Sequence, residues 1–331
     1  MIRVAVLDDY IGIAEEFGDW AALGDAAEVT FYREAIPPAR LVAELADYEV
    51  IVITQQRARF PREVLEALPK LKLIVCNGWM STVVDHDARR ERGILLSAAQ
   101  DGPGALGPQP GPSGVRRGIS PPAEMAWALL FAVTKRIAIE DRAIRAGGWQ
   151  TGFPGSLSGM TLGLAGLGNL GSQMVEAAKV FGMDVIAWSE NLTTERTDAL
   201  GVTKVSKEEL LANSDVLGIF LILSERSRGL FQASDLALMK QSAFIVNISR
   251  GPIIDEQALI AALSSGKLAG AGLDVFDEEP LPLDHPFRSM ENVVLMPHLG
   301  YVTEPLFRMS FEKMAEDVLA YLAGSPIRVV E

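Results

Sequence analysis

The sequence predicts an α/β protein built from two doubly wound parallel sheets, and three features point that way. Short apolar runs alternate with amphipathic stretches along nearly the whole chain. The runs fall into two sets, separated by a segment too rich in glycine and proline to belong to either. The second set also contains a glycine-rich turn set between a strand and a helix. At 331 residues the chain is two domains long, taking about 150 residues per domain.

In the first set the expected strands are Arg3–Leu7, Val29–Tyr32, Val50–Thr54, Leu71–Cys76 and Gly93–Ser97. Between them lie helical patterns such as Pro61–Leu68, which puts Val64, Leu65 and Leu68 on one face. The stretch Asp101–Ser120 breaks the alternation, because half of it is Gly or Pro, which excludes both helix and central strand. A loop of that length inside a compact domain is uncommon; the stretch reads as either a long mobile loop or a lid. Pro121 and Pro122 suit the first turn of a helix that runs to about Ala146 and stops at Gly147–Gly148. Its first half is apolar almost all round and should be buried, while its second half carries Lys135, Arg136, Glu140, Asp141, Arg142 and Arg145. The second set follows as Thr161–Ala165, Asp184–Trp188, Val216–Ile222, Ala243–Ile248, Gly270–Val275 and Val293–Met296. A last helix, about Glu304–Leu322, takes Thr303 as its N-cap.

Composition removes several function classes. Apolar residues make up 49% and charged residues 22%, so the chain as a whole is not disordered. Acidic side chains outnumber basic ones 43 to 30, for a net charge of −13, and no basic footprint for nucleic acid is present. No apolar run reaches the roughly 18 residues that span a bilayer. MIRVAVLDDY reads as a first strand rather than a secretion signal. The single cysteine, Cys76, allows no internal disulfide and fits a reducing compartment. The expectation is a cytoplasmic globular protein with no nucleic-acid or membrane partner, and no metal ligands are assigned.

The glycine-rich turn reads TLGLAGLGNLG, with Gly166, Gly168 and Gly171 in G-x-G-x-x-G spacing between a strand and the helix Asn169–Phe181. In that setting the first glycine makes the turn and the second admits a pyrophosphate to the backbone. The third lets helix and strand pack closely, and the helix N-terminus at Asn169, Leu170 and Gly171 offers amides to the phosphates. The turn therefore predicts a bound dinucleotide. An acid just after the second strand would grip the adenosine ribose hydroxyls. Here Ser189 holds that position and Glu190 comes one residue late, with Arg196 near enough in sequence to meet a phosphate. The balance leans to NAD and leaves NADP open.

A catalytic imidazole must come from His86, His285 or His298. His86 follows Asp85 at a helix start, where capping is its plain role, and His285 lies in the turn LPLDHPF, solvated or stabilising the turn. His298 stands at the carboxyl end of a strand, where open α/β sheets bind ligands. Neighbouring strand ends carry Ser249-Arg250-Gly251 and Phe276-Asp277-Glu278-Glu279-Pro280. A carboxylate there would favour the protonated imidazole, and a guanidinium would bind a substrate carboxylate with two prongs. The set suggests proton-coupled hydride transfer.

Four segments, GLAGLGNLG, NISRGPIIDEQAL, AGLDVFDEEPLP with HPF, and NVVLMPHLGYVT, resemble in order and spacing the D-isomer-specific 2-hydroxyacid dehydrogenase family. The similarity covers most of the chain apart from Asp101–Ser120. It implies a flavodoxin-like substrate domain, residues 1–121 with 302–331 and the insertion 101–120, and a Rossmann cofactor domain, residues 122–301. Arg250 matches the substrate-binding arginine, His298 the acid/base and Glu279 its carboxylate partner. Asp274 matches the residue near the nicotinamide carboxamide, and Ser249 also falls in the cofactor site with the glycine turn, Ser189 and Glu190. Asn77, Gly78, Trp79 and Met80 match the loop whose amides hold the substrate carboxylate. The long helix after Pro122 resembles the family's dimer helix, so a homodimer is expected.

The resemblance also sets limits. Formate dehydrogenases of the superfamily pair their histidine with glutamine, so Glu279 argues against that chemistry, whereas phosphite dehydrogenases share Arg, Glu and His. Pro122-Ala123-Glu124 stands where the family commonly has Thr-Ala-Glu. The implied activity is reduction of a 2-keto acid to an (R)-2-hydroxy acid. The alternative is an NAD(H)-sensing interaction protein, like the family's transcriptional corepressors, with little turnover.

Overall fold

The computed structural model describes residues 1–78, 81, 83–99 and 118–330. The substrate-loop candidates Trp79 and Met80, and the bulk of the glycine/proline-rich stretch, residues 101–117, lie outside them. The chain divides into two compact units, Met1–Ala105 with Thr303–Glu331, and Leu106–Val302.

The unit formed by the two chain ends holds a five-stranded parallel sheet of β1 (Ile2–Leu7), β2 (Ala27–Phe31), β3 (Val50–Ile53), β4 (Leu73–Cys76) and β5 (Leu95–Ala98), in the order β2-β1-β3-β4-β5. That order is the flavodoxin-like one. β3 and β4 read VIVI and LIVC and are buried at every position, as strands covered on both faces must be. The helix Glu304–Leu322 turns Phe307, Phe311, Met314 and Val318 inward and packs on β4. Thr303 does occupy its N-cap position, but among the described residues its side chain makes no capping hydrogen bond. Pro305 in the first turn lacks the N–H that a cap would meet.

Beyond that helix the chain runs back along the free edge of β5. Val329 bridges Ser97 antiparallel, Ala98 N donates to Arg328 O (3.0 Å), and Val330 N donates to Leu96 O (2.8 Å). The Ser97 hydroxyl and the Arg89 guanidinium donate to the carbonyls of Ile327 and Val330. An edge of unpaired backbone groups is thereby covered.

The second unit holds a seven-stranded parallel sheet: β6 (Thr161–Ala165), β7 (Asp184–Trp188), β8 (Thr203–Lys204), β9 (Val216–Ile219), β10 (Phe244–Asn247), β11 (Gly270–Leu273) and β12 (Val293–Leu295). Its order is β12-β11-β10-β9-β6-β7-β8. The chain reverses direction of travel at β6, leaving a crevice between β6 and β9 at the carboxyl edge. The sheet has one more strand than the sequence suggests. β8 is two exposed polar residues on the sheet margin, too short to leave an apolar signal.

The helix expected to run unbroken from Pro121 to about Ala146 is two helices, Pro121–Thr134 and Ile137–Arg145, with Arg136 left-handed between them at φ +57°. A tertiary bond accounts for the break. Gly155 N donates to the Thr134 carbonyl (2.8 Å), which an unbroken helix would use itself, and Lys135 reaches the Gly155 carbonyl. The first helix buries Trp127, Leu129, Leu130 and Val133 against the sheet, and the second buries nothing. Each fully buried large apolar side chain contributes roughly 1.5–3 kcal/mol, which holds the first helix down and leaves the second outside.

Candidate active site

The turn after β6 has the shape its sequence requires. Gly166 has φ +101°, and a Cβ on it would sit 2.8 Å from the Phe220 carbonyl oxygen. At Gly171 a Cβ would fall 2.1 Å from Gly166 O, so no other residue fits there. Gly168, the N-cap of the helix Asn169–Val180, faces open space instead. That open face above a helix N-terminus is where a pyrophosphate fits, and the residues present suit a dinucleotide.

Two further groups border this turn. Gly166 N donates to Trp188 O (2.8 Å), tying the turn to the residue before Ser189, and Arg196 Nε donates to Leu167 O (3.2 Å). Ser189 is half-buried and Glu190 exposed. Ser249 is buried, and its hydroxyl donates to Ile219 O (2.8 Å), joining the ends of β9 and β10.

At the other end of the sheet the ends of β10, β11 and β12 carry the expected chemical groups. His298 Nδ1 lies 2.7 Å from Glu279 Oε2, with the imidazole and the carboxylate both largely buried. The other oxygen of Glu279 accepts from Phe276 N (3.0 Å). Of the carboxylates in the run after β11, Glu279 is the one paired with His298. With a carboxylate on Nδ1, that ring nitrogen is the one that carries the proton in a neutral imidazole.

His298 is itself left-handed, at φ +57°. Such a conformation costs a residue with a side chain about 1–3 kcal/mol, and Asp274 accounts for its persistence. The fully buried Asp274 carboxylate accepts from Leu299 N (2.7 Å) and Gly300 N (2.8 Å), the two amides that follow the histidine. Sequence reasoning placed Asp274 near the cofactor and missed this hold on the His298 turn, which depends on residues far apart in the chain. Tyr301 meets the imidazole edge-on at 5.6 Å.

Arg250 is exposed at the end of β10, with Nη1 donating to Ser249 O (2.7 Å). The next residue, Gly251, touches the loop that carries Glu279: a Cβ there would lie 2.1 Å from the Phe276 carbonyl carbon. Asn77 and Gly78 follow β4 in the other unit. Asn77 is buried, its carbonyl accepts from Gln56 Nε2 (3.3 Å), and Gly78 has φ +139°.

The other two histidines are held by their own surroundings. His86 does not cap its helix; Asp85 does, accepting from Ala88 N, while His86 Nε2 pairs with Ser81 O at 2.7 Å. His285 caps the short turn Pro286–Ser289 and is largely buried rather than solvated. Its Nε2 lies 3.0 Å from Glu256 Oε1 and its Nδ1 accepts from Phe287 N at 3.3 Å. Glu256 Oε2 accepts from Asp277 N (3.2 Å). Burial, and then the nearby Glu256 charge, push the Asp277 carboxyl up to about 6.

A glycine turn at the crevice of a sheet in this order, with an imidazole and a carboxylate at the same edge, is the frame of a nicotinamide-dinucleotide dehydrogenase. Residues 127–300 match the NAD binding domain, and residues 5–104 the catalytic domain, of the D-isomer specific 2-hydroxyacid dehydrogenases, and the chain belongs to that family. It is 33% identical over 297 residues to a glyoxylate reductase of Thermococcus litoralis, covering 87% of this chain and 85% of the relative. It is also 33% identical to a D-3-phosphoglycerate dehydrogenase of Methanocaldococcus jannaschii over 98% of this chain, which spans 58% of that longer protein. Among solved structures, a phosphoglycerate oxidoreductase from Vibrio cholerae superposes with a TM-score of 0.85 at 29% identity, over 98% of this chain and 100% of that one. Among the described residues no helix is long and apolar enough to cross a membrane.

Proposed function

We propose that the protein reduces a small 2-keto acid to an (R)-2-hydroxy acid, with His298 as the acid/base. The observation that carries this is the 2.7 Å pair of His298 Nδ1 and Glu279 Oε2, at the carboxyl edge of the sheet that also bears the glycine turn. A nicotinamide dinucleotide held at the turn of Gly166, Gly168 and Gly171 would supply the hydride. Glu279 holds the proton on Nδ1 and favours the imidazolium, and His298 delivers a proton from Nε2 to the carbonyl oxygen as it gains charge. Arg250 binds the substrate carboxylate. The resemblance gives the backbone of residues 77–80 a share in that carboxylate, and glyoxylate reductase names among the relatives favour a small substrate.

The same reading includes a homodimer through the cofactor unit. The helix Ile137–Arg145 and the chain after it leave Ile137 and Ile144 half exposed and Trp149 and Phe153 mostly or wholly so, an apolar strip of the kind a second copy would cover.

Initial-rate oxidation of NADH and NADPH, in parallel, against glyoxylate, hydroxypyruvate and pyruvate tests the proposal. Turnover of at least one keto acid is expected. Dinucleotide binding with no turnover across the panel would sink the catalytic reading and favour a sensing role.

A further inference from the structure

Resting on the acid/base role just proposed, a finer feature concerns what aims the His298 ring. An imidazole turns about two side-chain torsions. The 2.7 Å pairing of Nδ1 with Glu279 Oε2 fixes one atom of the ring. With that atom held, the remaining freedom still lets Nε2, on the far side of the ring, swing. A proton donor has to lie within hydrogen-bond reach of its acceptor, about 2.6–3.2 Å, and a displacement of about 1 Å can cost about a hundredfold in rate. The bond to Glu279 alone leaves the aim of Nε2 incomplete.

The turn that follows the histidine brings a second group against the ring. Leu299–Val302 closes on itself through Val302 N, which donates to Leu299 O (2.9 Å). Asp274 fixes the first two amides of this turn. Gly300 is tightly seated as well: a Cβ there would lie 3.0 Å from Asp274 Oδ2 and 3.7 Å from Pro122 Cα. A backbone held in this way carries the residue three after His298 back to it. That residue is Tyr301, half-buried, with its ring centroid 5.6 Å from that of the imidazole and the two planes at 88°. Rings at right angles and this separation are in the edge-to-face contact that aromatic pairs prefer.

We propose that Tyr301 is a positioning residue for His298: its ring, standing against the imidazole, blocks the swing that Glu279 leaves open and keeps Nε2 aimed. Glu279 sets the protonation of the imidazole and one point of its position, and Tyr301 sets its orientation. The role belongs to the aromatic ring and not to the hydroxyl. A small side chain at 301 would leave a gap beside the imidazole, while the hold of Asp274 on the backbone stayed in place.

Two measurements on the intact protein test this, and one of them needs no turnover. With nitrogen-15-labelled histidine, NMR follows the proton on His298 Nδ1. The chain has three histidines, and the signal is assigned by its loss in His298→Ala. In the native protein and in Tyr301→Phe this proton should exchange slowly with water, and in Tyr301→Ala about tenfold or more faster. Steady-state rates should show kcat lowered about tenfold or more in Tyr301→Ala, with KM and dinucleotide affinity within about threefold, and restored to within about threefold of native in Tyr301→Phe. Tyr301→Leu, which keeps bulk without a flat ring, should lose kcat in the same way and replaces the alanine variant if thermal melts show that one unfolded. Equal losses in Tyr301→Phe and Tyr301→Ala would move the role to the hydroxyl and overturn the inference. So would a raised KM with unchanged kcat, since Tyr301 would then only line the substrate's place, and so would an Nδ1 proton indifferent to the loss of the ring. A slowly exchanging proton that depends on Tyr301, in a protein that turns over no keto acid, would uphold the grip on the ring and sink the proposed function instead.

Discussion

Glu279–His298 and Glu256–His285 are the same two side chains at nearly the same separation, 2.7 and 3.0 Å, and both imidazoles are largely buried. What differs is how each ring and backbone is used. At His285 a backbone amide, Phe287 N, points at Nδ1. An amide can only donate, so Nδ1 carries no proton, and Nε2 holds it against Glu256. Both nitrogens are committed to the chain's own structure, the ring lies 4.9 Å from that of Phe287, and the backbone is relaxed at φ −63°. At His298 the carboxylate takes the other nitrogen, Nδ1, and the residue stands left-handed, clamped from behind by Asp274. A carboxylate beside an imidazole does not by itself mark a catalytic group. The two pairs differ in which ring nitrogen the carboxylate takes and in the left-handed backbone that Asp274 holds at His298, and the proposed acid/base role rests on that difference.

The largest test of that contrast is to remove each ring. His298→Ala is expected to lower kcat by about 10²–10⁴ with dinucleotide affinity within about threefold, read from steady-state rates and binding titrations. His285→Ala should leave kcat within about tenfold. Comparable losses from both would erase the distinction. Next, Glu279→Gln removes the charge that favours the imidazolium. In the proposed mechanism keto-acid reduction consumes the protonated imidazole, so its high-pH limb should then be lost earlier and the pH–rate profile should move to lower pH. An unmoved profile would mean that Glu279 does not tune His298.

The second pair should show itself in stability. Glu256→Gln and His285→Ala are each expected to cost about 1–3 kcal/mol by denaturant unfolding, the range for a buried partner left unsatisfied. A double-mutant cycle should show coupling; strictly additive losses would argue that the 3.0 Å contact contributes nothing. The smallest effect is at Asp277. Its carboxyl is raised from 3.8 to about 6, so the stability associated with its neutral form is complete below 3.8 and is lost as pH rises through about 6. Carbon-13 NMR of labelled aspartate should find that midpoint, and Glu256→Gln should lower it. A midpoint indifferent to Glu256 would assign the shift to burial alone.

The two α/β sheets were legible because their strands are apolar runs such as VIVI and FIVN, which alternate with helical patterns. β8 was not, because Thr203–Lys204 buries nothing. The break at Arg136 was hidden as well: TKRIAIEDR reads as continuous helix, and the Gly155 amide that takes the Thr134 carbonyl comes from a later loop. In the site, the glycine turn could be derived from spacing, since each glycine answers a local steric demand. The choice of Glu279 over its acidic neighbours came from resemblance, for nothing in Asp-Glu-Glu says which carboxylate will meet a histidine from the next strand. The hold of Asp274 on Leu299 and Gly300 and that of Arg196 on Leu167 are long-range bonds that leave no periodic trace.

The tail laid along β5 has a consequence for how the protein is made. The cofactor unit is one continuous stretch of chain, but the other unit also needs the residues from Thr303 onward, made after the whole of the cofactor unit. Between synthesis of Ala98 and arrival of Ile327 a ribosome working at about 5–20 residues per second needs on the order of ten to fifty seconds. Through that interval the Leu95–Ala98 edge stands bare beside every other nascent copy on the same message. A stalled or truncated chain would keep it bare, with a sticky border where the finished protein has a hem.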